Sequence, residues 1–461
     1  MAYEILIEGS PTDNPWLNSL VWGGAWEDST DIVRIGYSTK SGRDQYGVHS
    51  GGKTWSSGET KALESAMASW ESVANIDFVK TSNAANADIW YWLNGDGGFL
   101  GWHEVPAYSS GEPLYGVFNP YSSVWSNTNN LKGGYSYATF IHELGHGLGL
   151  AHPHDGGPND DEVFPGVTSP FYDYGLHDLN QGIWTTMSYN DGWIDAISPS
   201  NAYGWQATPM ALDIAAIQLI YGANMNYATG NNTYTLPTSN KSGTYWSCIW
   251  DAGGNDTITA SKASSACTIN LNEATLIDEN AGGFISRVDN VYGGFTIANG
   301  VIIENAIGGK AADTLIGNMY NNTLTGNQGN DMLLGGGGND VLIGGSGSDS
   351  LFGGVDGDYF KITAVSDSSL NTQDIIHDFE QGIDKIDLSM IDAKYKFTKN
   401  DSFSFLGVTA PTDSISANGA IWYEIDDGTT NIYASNDRDI TAEIGIRLIG
   451  EFTLLSSDFI L

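Results

Sequence analysis

Apolar positions recur at helical spacing over 59–75, where Leu63, Ala66, Met67, Trp70, Val73 and Ala74 fall on one face. A second helix is predicted over 136–148, stopped by glycines. A third is predicted from Thr208 as N-cap and Pro209 in the first turn to Gly222, with Leu212, Ala215, Ala216, Leu219 and Ile220 on one face. Mixed polar and aromatic strands, such as 87–92, lie between the first two. The stretch 153–207 is irregular and rich in Gly, Pro, Asn and Asp, and a loop that long is usually functional. After about residue 224 the helical period vanishes and Asn, Thr and Gly rise, which puts a domain boundary within 224–233.

Beyond that boundary the chain repeats in nines over 308–361. Glycine opens each unit, at 308, 317, 326, 335, 344 and 353. The sixth position holds Asp313, Asn322, Asp331, Asp340, Asp349 and Asp358, and the eighth holds Leu315, Leu324, Leu333, Leu342, Leu351 and Phe360. This is the pattern of a calcium-binding parallel β-helix: glycines make the turn, aspartate and turn carbonyls supply hard oxygens, and the apolar residue fills the core. With two units per turn, Asp313, Asp331 and Asp349 stack along one edge, and Asn322, Asp340 and Asp358 along the other. Asn322 lacks the charge, so its site is expected to be the weakest. An isolated earlier copy runs from Asp251 through Gly253 and Gly254 to Asp256. Without calcium the stacked acids repel, so this region is expected to fold only where calcium is plentiful, outside a cell.

Composition sharpens the picture. The 461 residues carry 18 Lys and Arg against 55 Asp and Glu, a formal net charge of −37. That excludes a nucleic-acid binder as the leading class, since phosphate backbones demand a basic footprint, and an anionic membrane would repel the chain. Hydrophobic residues make up 41%, enough for a packed core. No apolar run is long enough to span a bilayer. The start, Met1 to Glu8, has no basic region and does not read as a secretory signal peptide. Cys248 and Cys267 leave two options, one disulfide or two free thiols.

The chemistry is carried by His142-Glu143-Leu144-Gly145-His146-Gly147-Leu148-Gly149-Leu150-Ala151-His152-Pro153. His142 and His146, four apart on a helix, face the same way and suit one zinc ion. Glu143 beside them is placed to take a proton from water. Gly149 permits a sharp turn that returns His152 as a third ligand.

This motif resembles the metzincin metallopeptidases, and Pro153 points to the serralysins among them. Thr186-Met187-Ser188-Tyr189 is similar to the family's Met-turn, which implies Met187 beneath the metal and Tyr189 as a switchable zinc ligand and catalytic group. The segments 74–78, 212–218, 221–224, 250–256 and 303–309 resemble serralysins too. The resemblance implies an α+β N-terminal metzincin protease domain (1–223), a mixed twisted sheet with helices, followed by an all-β parallel β-roll/β-sandwich domain (224–461). It implies a secreted, monomeric endopeptidase of broad specificity with one catalytic zinc and several structural calcium ions. The calcium ligands it implies are Asp251, Gly253, Gly254, Asp256, Glu304, Gly309, Ala311, Asp313, Gly326, Gly329, Asp331, Gly336, Gly338, Asp340, Gly345, Gly347, Asp349 and Asp358. Implied partners are protein or peptide substrates, the type I (ABC) secretion apparatus and a small proteinaceous inhibitor. Asp458-Phe459-Ile460-Leu461 is similar to the family's uncleaved C-terminal export signal.

Two features depart from the family. It usually lacks cysteine. The insert after His152 carries His154, Asp155, Asp160, Asp161 and Glu162, read as a solvated acidic loop in preference to an extra metal site. Substrate is expected to lie along an edge strand near 104–108. Two other classes compete: a calcium-dependent adhesion protein with a dead protease domain, against which the intact Glu143 and histidines speak, and a toxin protease with one host target, favoured only by the insert.

Overall fold

The computed structural model describes residues 2–7, 12–41, 52–95, 98–106, 113–155, 163–394, 401–437 and 440–461. Tyr108, Asp160, Asp161 and Glu162 lie outside them.

The N-terminal half builds a five-stranded sheet in the order Ile76–Lys80, Val33–Lys40, Ile89–Leu93, Leu114–Phe118, Gly101–His103. The first four strands run parallel and the edge strand Gly101–His103 runs antiparallel to Leu114–Phe118. The edge strand thus ends at His103, short of the expected 104–108. Helix Ser57–Glu71 starts at a capping box, in which Ser56 and Glu59 exchange side-chain and backbone hydrogen bonds. Its Leu63, Ala66, Met67 and Trp70 are buried, as the helical spacing predicts. Helix Tyr135–Gly147 packs against it, with Trp70 Nε1 donating to the Ile141 carbonyl at 3.2 Å.

The third helix, Ala211–Tyr221, differs from the sequence reading at its start. Its N-cap is Met210, whose amide donates to the Asp213 carboxylate at 2.8 Å. Thr208 instead accepts from the amide of Cys248 at 3.0 Å. The buried face carries Leu212, Ile214, Ala216 and Ile217, whereas Leu219 is 41% exposed. The helix is so apolar throughout that periodicity alone fixed its inner face only in part: Leu212 and Ala216 are buried, and Ala215 and Ile220 pack half-buried against the core. It ends, as expected, at Gly222, whose φ of 77° favours glycine.

The C-terminal half is rich in β-structure, in sheets of eight and twelve strands. Strands from alternate repeats enter alternate sheets, and each pairs in parallel with the strand two repeats on: Leu315 with Leu333, Leu333 with Leu351, Leu324 with Leu342, and Leu342 with Phe360. All six of these apolar positions are fully buried. The last strand, Phe459–Ile460, extends the eight-stranded sheet beside Lys385–Asp387. Cys248 and Cys267 are free, buried thiols. The two halves touch where Ala207 donates to the Trp246 carbonyl at 2.9 Å and Trp193 meets Trp246 edge-on. No helix among the described residues is long and apolar enough to cross a membrane.

Candidate functional site

Helix Tyr135–Gly147 carries His142, Glu143 and His146 on the side facing the cleft, because Phe140, Ile141 and Leu144 anchor its other side in the core. The helix stops where Trp26 Nε1 and the Tyr221 hydroxyl take the carbonyls of Gly147 and Leu148, both at 2.8 Å. Gly149 then turns at φ 100°, pressed so closely against the Gly24 carbonyl that a Cβ would collide with it. The reversal returns His152 to the helix. Its Nε2 lies 3.1 Å from Nε2 of His142 and 2.9 Å from Nε2 of His146.

The far side of each imidazole explains this convergence. His142 Nδ1 meets the Thr186 carbonyl at 2.7 Å, His146 Nδ1 the Leu150 carbonyl at 2.8 Å, and His152 Nδ1 the Asp155 carboxylate at 2.5 Å. Each acceptor holds the proton on Nδ1 and leaves the Nε2 lone pair bare. Burial, reinforced by the neighbouring rings, pushes His142 down to about 3 and His146 well below the usual imidazole range. Three unprotonated nitrogens aimed at one point repel one another unless a cation takes their lone pairs. The donor set therefore fits zinc, with room for a fourth ligand from the cleft.

Glu143 is buried and its Oε2 has no hydrogen-bond partner. Burial alone pushes its carboxyl up in the metal-free site, and a cation on the three histidines would draw it back towards the charged form that can accept a proton. It is packed under the edge strand, where a Cβ on Gly101 would stand 2.8 Å from Glu143 Oε1. Both residues line a cleft of about 1020 Å³ together with the histidines, Tyr189 and Asp155.

Met187 is fully buried beneath the helix, where a Cβ on Gly145 would come within 2.6 Å of its sulfur. The turn before it is tied by Asp213, which accepts from the Thr185 hydroxyl at 2.6 Å and the Thr186 amide at 2.7 Å. Tyr189 is 37% exposed, with its ring 4.4 Å from His152 and stacked 5.8 Å from His142. Phe171 of the insert stacks on its other face at 5.2 Å. Desolvation, with Glu143 and Asp155 nearby, raises the phenol to about 12.

The repeat acids form two hydrogen-bonded ladders. On one edge the amides of Asp313 and Asp331 donate to the carboxylates of Asp331 and Asp349, both at 2.8 Å. On the other, Asn322 donates to Asp340 at 2.7 Å and Asp340 to Asp358 at 2.9 Å. One oxygen of each carboxylate is consumed in this way. The second oxygen of Asp331, Asp340, Asp349 and Asp358 is buried without a partner, the state that a bound cation would relieve. Gly309, Ala311, Gly329 and Gly347 lie in the turns of the first edge and Gly338 in one of the second, whereas Gly326, Gly336 and Gly345 fall in the last residues of the strands Thr323–Gln328, Met332–Gly336 and Val341–Ser346. A side chain on Gly326 would strike Asp331 Oδ2. Asn322 fills its own seat, its amide nitrogen donating to Asn318 Oδ1 at 3.1 Å and to the Glu304 carbonyl at 3.2 Å.

The earlier copy gathers a further group. Asp256 donates its amide to Glu304 at 2.7 Å, and its Oδ2 is buried and unpaired. Asp251 accepts from Gly253 at 3.0 Å and from the Tyr234 hydroxyl at 2.5 Å, and Gly254 turns at φ 158°.

Sequence reasoning passed over three residues at the site. Asp155, which the sequence places in a solvated acidic loop, accepts a hydrogen bond from His152 Nδ1. Asp213 lies within the segment 212–218, where its signal is a lone acid in an otherwise apolar helix. Gly101 carried no signal, since its tolerance limit is set by Glu143 across the cleft.

Residues 211–461 match the family described as Peptidase M10 serralysin C terminal. Among curated proteins, serralysin C of Dickeya chrysanthemi is 37% identical over 413 residues, which is 86% of this chain and 78% of that protein. Serralysin A of the same organism is 34% identical over 96% of this chain and 87% of its own length. A serralysin of Photorhabdus sp. (strain Az29) is 33% identical over 99% of this chain and 92% of its own.

Proposed function

The chain belongs to the serralysin family and is a zinc metalloendopeptidase, and from that premise we propose how its own residues do the work. His142, His146 and His152 hold the zinc. When bound, the zinc supplies Lewis-acid polarisation of a water and of the scissile carbonyl. Glu143 is the general base: it takes the water's proton and returns it to the leaving amine. Tyr189 donates to the developing oxyanion and doubles as a detachable ligand. The substrate lies extended beside the edge strand Gly101–His103, next to Glu143. The observation that carries this reading is the convergence of three bare Nε2 atoms beside a buried, unpartnered carboxylate.

We further propose that residues 1–223 form the catalytic domain and 224–461 a parallel β-roll. The roll folds on calcium bound by the ladder acids and by Asp251, Asp256 and Glu304, after one-step export to the extracellular medium. The unpaired buried oxygens along the ladders support this. The enzyme acts as a monomer on many protein substrates.

Casein hydrolysis in calcium buffer tests the catalytic reading. Glu143→Ala is expected to lower the rate by about 10²–10⁴-fold, and a zinc chelator to abolish it. Full activity in either case would overturn the assignment.

A further inference from the structure

Beside the three-histidine site stand two donor atoms that it does not use. The His154 ring lies nearly parallel to that of His152, with centroids 4.9 Å apart at 18°, and 4.8 Å from the Tyr189 ring. His154 Nε2 is 3.6 Å from Asp155 Oδ1, while Asp155 Oδ2 accepts the His152 Nδ1 proton. One carboxylate thus faces two imidazoles with a different oxygen for each. At 3.6 Å the His154–Asp155 pair is too far apart for a hydrogen bond. It is the separation of two ligands that each stand about 2.1 Å from a shared cation. His152, His154 and Asp155 gather their donor atoms within 4.8 Å, but both His152 nitrogens are already engaged, which leaves His154 Nε2 and Asp155 Oδ1 as the free pair.

We propose that His154 Nε2 and Asp155 Oδ1 form a second site for a divalent transition-metal ion, zinc by its chemistry, that inhibits the enzyme. An imidazole paired with one carboxylate selects zinc over calcium or magnesium, which want oxygen alone. Two protein donors hold an ion less tightly than three, so the site fills only after the three-histidine site. Its occupancy restrains catalysis in two ways. A cation on Oδ1 draws charge from the carboxylate that orients His152, and it sits against Tyr189 at the cleft, whose lining includes Asp155. The inference rests on the catalytic reading above and adds its regulation by free zinc.

Equilibrium dialysis of the full, calcium-loaded chain against zinc chloride, with peptide hydrolysis followed in parallel, provides the test. Wild type is compared with His154→Ala and with His154→Phe, which keeps the ring stack but removes the nitrogen. Wild type is expected to bind two zinc ions, and its activity to peak at one equivalent and fall with the second. Both variants are expected to lose the second equivalent and to need about tenfold more zinc for the same inhibition. A single zinc in wild type, or a second equivalent with unchanged inhibition in His154→Phe, would overturn the inference. An inactive one-zinc enzyme would instead strike at the catalytic reading, and the dialysis stoichiometry would still decide the second site.

Discussion

The buried carboxylate of Asp213 accepts the Thr186 amide proton at 2.7 Å, and the Thr186 carbonyl accepts the Nδ1 proton of His142 at 2.7 Å. A residue on helix Ala211–Tyr221 thereby fixes the tautomer of His142 on helix Tyr135–Gly147 through the single residue Thr186. Asp213→Asn keeps the shape but replaces one acceptor oxygen with a donor that faces donors. We expect zinc affinity to fall about 10–100-fold, read by competition with a chromophoric chelator. Unchanged affinity would mean that the turn is rigid without this tie.

Gly101 and Glu143 set a second test. A methyl group at 101 would stand 2.8 Å from the Glu143 carboxylate, so Gly101→Ala must displace one of them. The expected result is a loss of kcat of at least about tenfold with one zinc still bound per chain. Loss of zinc would place the damage at the histidines instead.

Asn322 offers a gain of function. Its amide satisfies the Asn318 side chain and the Glu304 carbonyl, contacts that a carboxylate cannot make. Asn322→Asp should therefore bind one more calcium ion than wild type in isothermal titration. It should melt lower than wild type in a calcium chelator and no lower in calcium. An unchanged stoichiometry would show that the seat lacks other oxygens.

Glu59 predicts acid sensitivity away from any metal. Burial opposes its charge, but Lys53 at 2.7 Å, the Ser56 amide and Trp125 Nε1 outweigh burial and hold the carboxyl at about 2. A lowered folded value means the stabilisation is present above the ordinary glutamate range, near 4.5, and is lost as pH falls through about 2. Glu59→Gln should cost on the order of 2 kcal/mol at pH 7 and flatten the stability profile between pH 4.5 and 2. Parallel profiles for the two proteins would refute the linkage.

The described residues that line the cleft include Glu4, Glu104, Asp155 and Asp191 and neither Lys nor Arg. Peptides of net positive charge should show lower KM than their neutral analogues, with the difference shrinking as salt rises. Equal KM at low salt would show that the acids are too well solvated to act.

Much of this protein was legible in its sequence because the signals are local. Four-residue spacing sets His142 and His146 on one helix face whatever surrounds them. A nine-residue period fixes which residues of the repeats turn, which pack and which present oxygen, since each unit meets a copy of itself. Tertiary structure alone decided the rest. The apolar helix Ala211–Tyr221 has no polar side to read, so its buried face was chosen by its neighbours. Asp155 reaches His152 across only three residues, whereas Asp213 and Gly101 act on groups brought near by the turn at Thr186 and by the sheet edge. No spacing in the chain encodes those contacts, because the partners meet only when separate elements pack.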